Sequence, residues 1–348
     1  MTSEPLLTLT PEGLYCPRGR FHIDPIRPVP RAVITHGHAD HARPGHGSVL
    51  ATPETLAIMA IRYGEGFTTT RQPTPYGEPV TVDGLGVSLH PAGHIRGSAQ
   101  VLIDRGGHRA VVSGDYKRQS DPTAASFELV PCHLFVTEAT FALPVFRHPD
   151  AADEVAKLLD SLSLFPDRPH LVGAYALGKA QRVIALLRAA GHHAPIYLHG
   201  ALQRLTDHYV EAGVDLGRLE PVKEVEPKTL GGSITLCPPS ALADRWSRRF
   251  GDPVTGFASG WMRVRARARQ RGVELPLVIS DHADWEDLCT TIVETGAEAV
   301  WVTHGQEDAL VHWATQAGID ARPLRLLGYG DGDDGEADLI EPSPDEAA

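Results

Sequence analysis

Short apolar runs, each closed by a polar string, set the pattern of this chain. Residues 30–35 (Pro-Arg-Ala-Val-Ile-Thr) read as a short buried strand that runs into His36. Residues 47–52, 79–90 and 99–105 are further strand-like runs bounded by glycine and proline. Residues 109–113 form another, ending at Gly114-Asp115, and residues 134–137 one more, ending at Glu138. Polar groups that follow buried strands are the pattern of side chains gathered along one edge of a layered α/β protein. From about residue 151 the texture changes. Residues 151–163 and 178–190 carry helical periodicity on either side of a strand-like run at 168–175, which predicts a second, parallel-sheet unit. Residues 276–280 and 298–303 return to the first texture. The expected organisation is a first domain begun by residues 1–146, an insertion at 147–260, completion of the first domain at 261–330, and an acidic, glycine-rich disordered tail at 331–348.

Composition narrows the class. A length of 348 residues suits two domains, or one core with a large insertion, and 42% hydrophobic residues suit a globular chain. No apolar run approaches the roughly 18–20 residues that span a bilayer, so no membrane partner is expected. Residues 1–10 lack a basic stretch followed by an apolar one, which leads to a cytoplasmic expectation. Cys16, Cys132, Cys237 and Cys289 are scattered and read as reduced core thiols. The net charge of −12 argues against a protein held to nucleic acid by global charge, but eight of the acidic residues lie in 331–348, and setting them aside leaves −4. The excess of histidine, 18 in all, changes the picture more, because many stand beside Asp and Gly in the polar strings.

The densest string is Thr35-His36-Gly37-His38-Ala39-Asp40-His41. Alternate residues of an extended segment point the same way, so His36 and His38 can share one metal while Asp40 and His41 turn toward a second. Neutral imidazole and carboxylate are suitable ligands for zinc or manganese. Pro91-Ala92-Gly93-His94 adds a fifth candidate and Ser113-Gly114-Asp115 a sixth, a strand-end carboxylate able to bridge two ions. Such a pair, roughly 3.5–4 Å apart, supplies a hydroxide at neutral pH and neutralises a phosphate in line with it.

His36-x-His38-x-Asp40-His41, then His94, then Asp115 resemble the metallo-β-lactamase fold. Glu138 in Thr-Glu-Ala-Thr-Phe, His282 in Ser-Asp-His-Ala-Asp and His304 in Thr-His-Gly resemble the three extra motifs of the β-CASP nucleases. The strings Gly13-Leu14-Tyr15-Cys16-Pro17, His41-Ala42-Arg43-Pro44-Gly45-His46, Asp115-Tyr116-Lys117-Arg118 and Ser259-Gly260-Trp261-Met262 resemble the bacterial DNA-ligase-associated DNA damage response exonucleases over about residues 5–330. The resemblance implies an αββα sandwich interrupted by a β-CASP α/β domain, and two divalent ions, Zn2+ or Mn2+. It implies that His36, His38, His94 and Asp115 hold the first ion, and that Asp40, His41, His304 and the shared Asp115 hold the second. Asp40, His282 and Glu138 would be catalytic, with His282 as acid, since a nearby carboxylate raises the pKa of His. The implied function is a DNA exonuclease on single-stranded ends, associated with a DNA ligase and a helicase. A histidine at the last motif, here His304, is the pattern of RNA-cutting members, so a ribonuclease of the same fold is the alternative. A small thioester or lactam as substrate would need neither the insertion nor the His282/Glu138 pair, and a non-catalytic module would be expected to lack ligands.

Two segments are candidates for nucleic-acid contact. Arg263, Arg265, Arg267, Arg269 and Arg271 alternate strictly, so they form a basic ridge if the segment is extended and disperse if it is helical. Gly173-Ala174-Tyr175-x-x-Gly178-Lys179 opens a helix whose amides, with Lys179, suit a phosphate, and Tyr175 could stack on a base. The spacing is not that of a P-loop, so no use of ATP is implied.

Overall fold

The computed structural model describes residues 5–324, and these divide into two units: residues 5–146 with 282–324, and residues 147–281. The acidic tail at 331–348 lies outside the described residues. In the first unit β1 (Thr8–Thr10), β2 (Gly13–Cys16), β3 (Phe21–Ile23), β4 (Arg31–Val33), β5 (His46–Ala51) and β6 (Thr68–Pro73) make a six-stranded sheet in that order. The second sheet begins with β7 (Val80–Val82), β8 (Leu85–Pro91), β9 (Ala99–Arg105), β10 (His108–Val112) and β11 (Leu134–Ala139). It is completed from the far end of the chain by β18 (Ala299–Gly305) and β19 (Asp320–Pro323), giving the order β19-β18-β11-β10-β9-β8-β7.

The two sheets face one another. Leu14, Phe21, Ile23, Val33 and Leu50 of the first interdigitate with Val87, Leu89, Val101, Ile103 and Val136 of the second. Each sheet carries helices on its outer face. Helix α1 (Pro53–Tyr63), capped by the Thr52 hydroxyl and opened by Pro53, lays Leu56 and Met59 on Ala32, Val49 and Ala51. Helices α6 (Trp285–Glu294) and α7 (Glu307–Gln316) lay Leu288, Ile292 and Leu310 on Val111, Phe135 and Val300. The unit is therefore the expected αββα sandwich.

The second unit holds a six-stranded sheet, parallel throughout, built from β12 (His170–Gly173), β13 (Ile196–Leu198), β14 (Leu219–Pro221), β15 (Ile234–Cys237), β16 (Val254–Ala258) and β17 (Leu275–Leu277). Its helices are α2 (Ala151–Leu164), α3 (Lys179–Ala189), α4 (Gly200–Glu211) and the short α5 (Arg265–Gln270). Strands β12 and β15 are buried at every position, as parallel strands covered on both faces must be. Residues 261–281 fall in this unit, past the boundary at 260 expected from the sequence, because β17 pairs with β16. A three-residue apolar strand carries no signal that identifies its partner. No helix among the described residues is long and apolar enough to cross a membrane.

A bulge aims one candidate ligand. Strand β18 runs parallel to β11 with Glu138 opposite Thr303 and Ala139 opposite Gly305, which leaves His304 as the extra residue, at φ 57°. Gly305 follows at φ 126°, where a Cβ would meet the Ala139 carbonyl oxygen at 2.3 Å. Gly305→Ala is expected to lower stability by roughly 1–3 kcal/mol. A urea midpoint equal to that of the parent protein would show that the bulge does not depend on this glycine.

Candidate metal centre

All the candidate ligands of the first unit emerge at or just beyond strand ends. His36, His38 and His41 follow β4, His94 lies between β8 and β9, Asp115 follows β10, Glu138 ends β11 and His304 ends β18. The His36–His41 string is not extended. It closes into a turn in which the His38 carbonyl accepts from the amides of His41 (3.2 Å) and Ala42 (2.7 Å). This turn, not strand alternation, brings the rings of His36 and His38 to 4.9 Å. His94 is held from two sides. The Ser98 hydroxyl accepts from the His94 and Ile95 amides at 3.2 Å each, and the Thr52 and Thr55 hydroxyls donate to the Gly97 carbonyl at 2.7 and 3.0 Å.

The side chains converge on Asp115. Its Oδ2 lies 3.4 Å from His36 Nε2, 3.3 Å from His41 Nε2 and 3.8 Å from His94 Nε2, and its Oδ1 lies 3.6 Å from His304 Nδ1. Three sets have donor atoms close enough to share an ion: His36, His38, His94 and Asp115; His41, Asp115 and His304; and Asp115, Glu138 and His282. Asp40, expected with the second set, lies outside all three. Its carboxylate is partly exposed, 3.7 Å from His41 Nε2. The donors fit a divalent ion on their own geometry. His36 Nε2 and Asp115 Oδ1 are fully buried without a hydrogen bond, and their nearest contacts are longer than the usual 2.7–3.2 Å. Buried polar atoms normally find partners, and a metal would serve both.

Asp24, which the sequence reading passed over, fixes which imidazole nitrogens face this centre. It sits at φ 45°, buried, and accepts from the Thr35 amide (2.8 Å), the Thr35 hydroxyl (2.5 Å) and His41 Nδ1 (2.8 Å). The Thr35 hydroxyl, having donated to Asp24, accepts from His36 Nδ1 at 3.0 Å. One carboxylate thus holds His41 directly and His36 through Thr35, each at Nδ1, and turns both Nε2 atoms toward Asp115. The only sequence signal was an acidic residue just past β3, resembling Asp115 past β10. Among the described residues four non-glycine positions have positive φ, and two of them, Asp24 and His304, belong to this cluster.

Glu138 is likewise held by both oxygens. Oε1 accepts from the Tyr116 amide at 2.7 Å and Oε2 is 2.9 Å from His282 Nδ1. The loop bearing His282 is tied down by the Ala283 amide, which donates to the Tyr116 carbonyl at 2.6 Å, and by Asp284, whose side chain caps α6.

Burial and mutual charge sort the protonation states. Burial, with the charge of neighbouring His41 adding to it, pushes His36 down to about 4. Burial and the nearby His282 push His94 well below the usual histidine range. Burial opposes charge on His41 as well, but Asp115 and Asp40 beside it outweigh that and raise it well above. Burial would raise Asp115, yet His41 and the surrounding imidazoles hold it well below the usual carboxylate range. Asp40 is lowered in the same way, mainly by His41.

The second unit buries two of its four candidates and leaves two exposed. Tyr175 is buried, with its ring 6.2 Å from Phe257. Lys179 is buried at the start of α3 and lies 3.0 Å from Asp281, which also takes Arg182 at 3.2 Å, so its charge is directed at a carboxylate. The arginine segment is helical over Arg265–Gln270, and the extended ridge is not formed. An arginine/alanine run has strong helix propensity, which outweighs the alternation. Arg263 and Arg265 are both exposed.

No protein-family model matches the chain. It is 29% identical over 337 residues to a protein of Opitutus terrae named "Probable DNA ligase", a match covering 95% of this chain and 32% of that protein. It is 27% identical over 207 residues to "Ribonuclease TTHA0252" of Thermus thermophilus, covering 51% of this chain and 48% of that protein. The chain thus spans about a third and about half of these two relatives. Among solved structures it resembles a protein of unknown function from Enterococcus faecalis V583, with a TM-score of 0.54, 15% identity, and coverage of 78% of this chain and 74% of that one. That likeness shows the fold alone.

The buried neutral histidines set a pH dependence for the metal-free protein. A histidine whose pKa is lowered on folding binds its proton more readily when unfolded, so the stability it permits above the unfolded pKa is lost as pH falls. His36 and His94 each remove up to about 1.4 kcal/mol per pH unit below about 6.5. His41, raised on folding, contributes fully throughout that window. Asp287, pushed up to about 6 by burial and neighbouring Asp284, gains over the same window and offsets one of the two. Urea unfolding of chelator-treated protein should show a falling midpoint from pH 6.5 to 4.5, and a flat or rising one would contradict these environments.

Proposed function

This chain belongs to the β-CASP family of the metallo-β-lactamase fold, and on that premise we propose that it is a two-metal phosphodiesterase, a DNA exonuclease acting on single-stranded ends. The observation that carries the reading is the placement of one buried carboxylate, Asp115, between two sets of imidazoles, with a Glu138–His282 pair beside them. His36, His38 and His94 would hold one ion and His41 and His304 the other, zinc or manganese, with Asp115 common to both. Ions bound there supply Lewis acidity and make water acidic enough to attack a phosphate diester at neutral pH.

The rest falls to the chain's own groups. Asp24 and Thr35 hold two of the imidazoles in the tautomer that presents Nε2. Asp40, at the partly exposed edge beside His41, orients the attacking water. Glu138 grips His282 at Nδ1, so Nε2 is the atom that protonates the departing sugar oxygen as the P–O bond breaks. The choice of DNA rests on the relative named a probable DNA ligase, whose likeness runs along 95% of this chain. An activity that trims ends fits work beside a ligase, which joins them. A second reading has its own support: the Thermus relative is named a ribonuclease, and His304 stands where RNA-cutting relatives carry histidine.

The test is metal-loaded protein with matched single-stranded DNA and RNA, each labelled at one end, and Asp115→Asn beside it. DNA should be lost faster than RNA, and the variant should be slower by more than the roughly 10–100-fold typical of changes around metal ligands. Faster loss of RNA would replace the reading with the ribonuclease. Loss of neither, with two ions bound per chain, would remove both.

A further inference from the structure

Between Pro253 and Val273 the chain has no acidic residue and five arginines. Helix α5 sorts these arginines onto two sides. Residues two apart on a helix lie roughly 200° apart, whereas residues four apart share a face. Arg267 and Arg271 turn inward: the Arg267 guanidinium lies 3.8 Å over the Trp261 ring and that of Arg271 lies 5.2 Å over Phe257. Both rings are buried in the second unit. Arg265 and Arg269 therefore point away from it. Both are exposed, and neither side chain makes an ion pair or a hydrogen bond with another described residue. The next acidic residue along the chain, Glu274, is taken by Arg168 at 3.1 Å.

Two like charges four apart on a helix destabilise it by roughly 0.2–0.5 kcal/mol. Among the described residues no counter-charge lies against this pair, and it sits on a helix stapled down by the cation–π contacts of the alternate arginines. Two fixed guanidinium groups with about 5–6 Å between their Cβ atoms match an anion that repeats along a chain. We propose that Arg265 and Arg269 form a two-arginine clamp on the phosphate backbone of the single strand that the enzyme degrades. This clamp rests on the nuclease reading and extends it to a contact made by the second unit. Arg267 and Arg271 serve a different end: they seat the helix, and their charge is spent on aromatic faces.

The test uses metal-loaded protein and a fluorescein-labelled 20-nucleotide thymidine strand with phosphorothioate linkages, read by anisotropy across a salt series. In Arg265→Gln/Arg269→Gln the Kd should rise roughly tenfold, and the slope of log K against log salt should shrink by about 1.4, two phosphate contacts at about 0.7 each on a single strand. Arg265→Lys/Arg269→Lys should restore the slope, because the charge returns. Arg269→Glu guards against a folding artefact. It replaces a repulsive pair by an attractive one on the same helix, so it should unfold no earlier than the parent and bind more weakly still. Unchanged affinity and slope in these variants, with the parent protein binding this strand and degrading its unmodified counterpart, would overturn the clamp alone. A parent protein that neither binds this strand nor degrades the unmodified one would overturn the nuclease reading and the clamp with it.

Discussion

A single buried carboxylate organises the first unit. Asp115 brings its oxygens within 3.3–3.8 Å of His36, His41, His94 and His304, which arrive from three separate loops and strand ends. Without that negative charge, four imidazoles would crowd one site, where burial already pushes His36 and His94 down. With it, His41 is held above its usual range while His36 stays neutral. The backbone is shaped around this meeting. Gly114 adopts φ 57° against Thr35, where a Cβ would come within 2.7 Å. Thr35 in turn links Asp24 to His36. Asp115, the Thr35–Asp24 link and the bulge at His304 form one mechanical unit, at the C-terminal ends of parallel strands where open α/β sheets gather their ligands.

The strand-end logic explains why much of this was legible. His36, His38, His41, His94, Asp115 and His304 each follow or end a run of apolar residues, and an apolar run stopped by a ligand-type side chain is a pattern that survives in one dimension. A layered α/β protein was readable for the same reason, since its strands alternate or run apolar as their burial demands, while the αββα order was implied by the resemblance of the motifs. What stayed hidden depended on the third dimension. Asp24 has only His22 near it in sequence, a histidine outside the ligand sets, and only the parallel pairing of β3 with β4 brings it beside Thr35. Asp40 belongs to the densest string in the chain, yet the turn at His38 leaves its carboxylate at the partly exposed edge. The short strand β17 looked like the return to the first domain because its composition is the same as that of strands in both units.

The charged residues of the second unit teach a related lesson. Lys179 stands at a helix start after a strand, a place where a phosphate is often held, but Asp281 lies 102 positions on and meets it in the fold. The alternating arginines suggested a ridge, and the helix turned that alternation into two faces with different work. In each case the residue type was right for an anion and the fold decided whether the charge remained available. The Glu138–His282 pair shows the opposite outcome. Two residues 144 positions apart come to 2.9 Å, with the carboxylate's other oxygen fixed by the Tyr116 amide. A geometry so fully specified on one side of the imidazole fixes how the ring is turned.

The central claim is that Asp115 joins two metal sites into one centre. Electron paramagnetic resonance during titration with Mn2+ reads this directly. A shared carboxylate holding ions roughly 3.5–4 Å apart couples their spins, so the second equivalent should replace the six-line signal of an isolated ion with a broad exchange-coupled one. Saturation at one equivalent, or two equivalents giving additive six-line signals, would contradict the account.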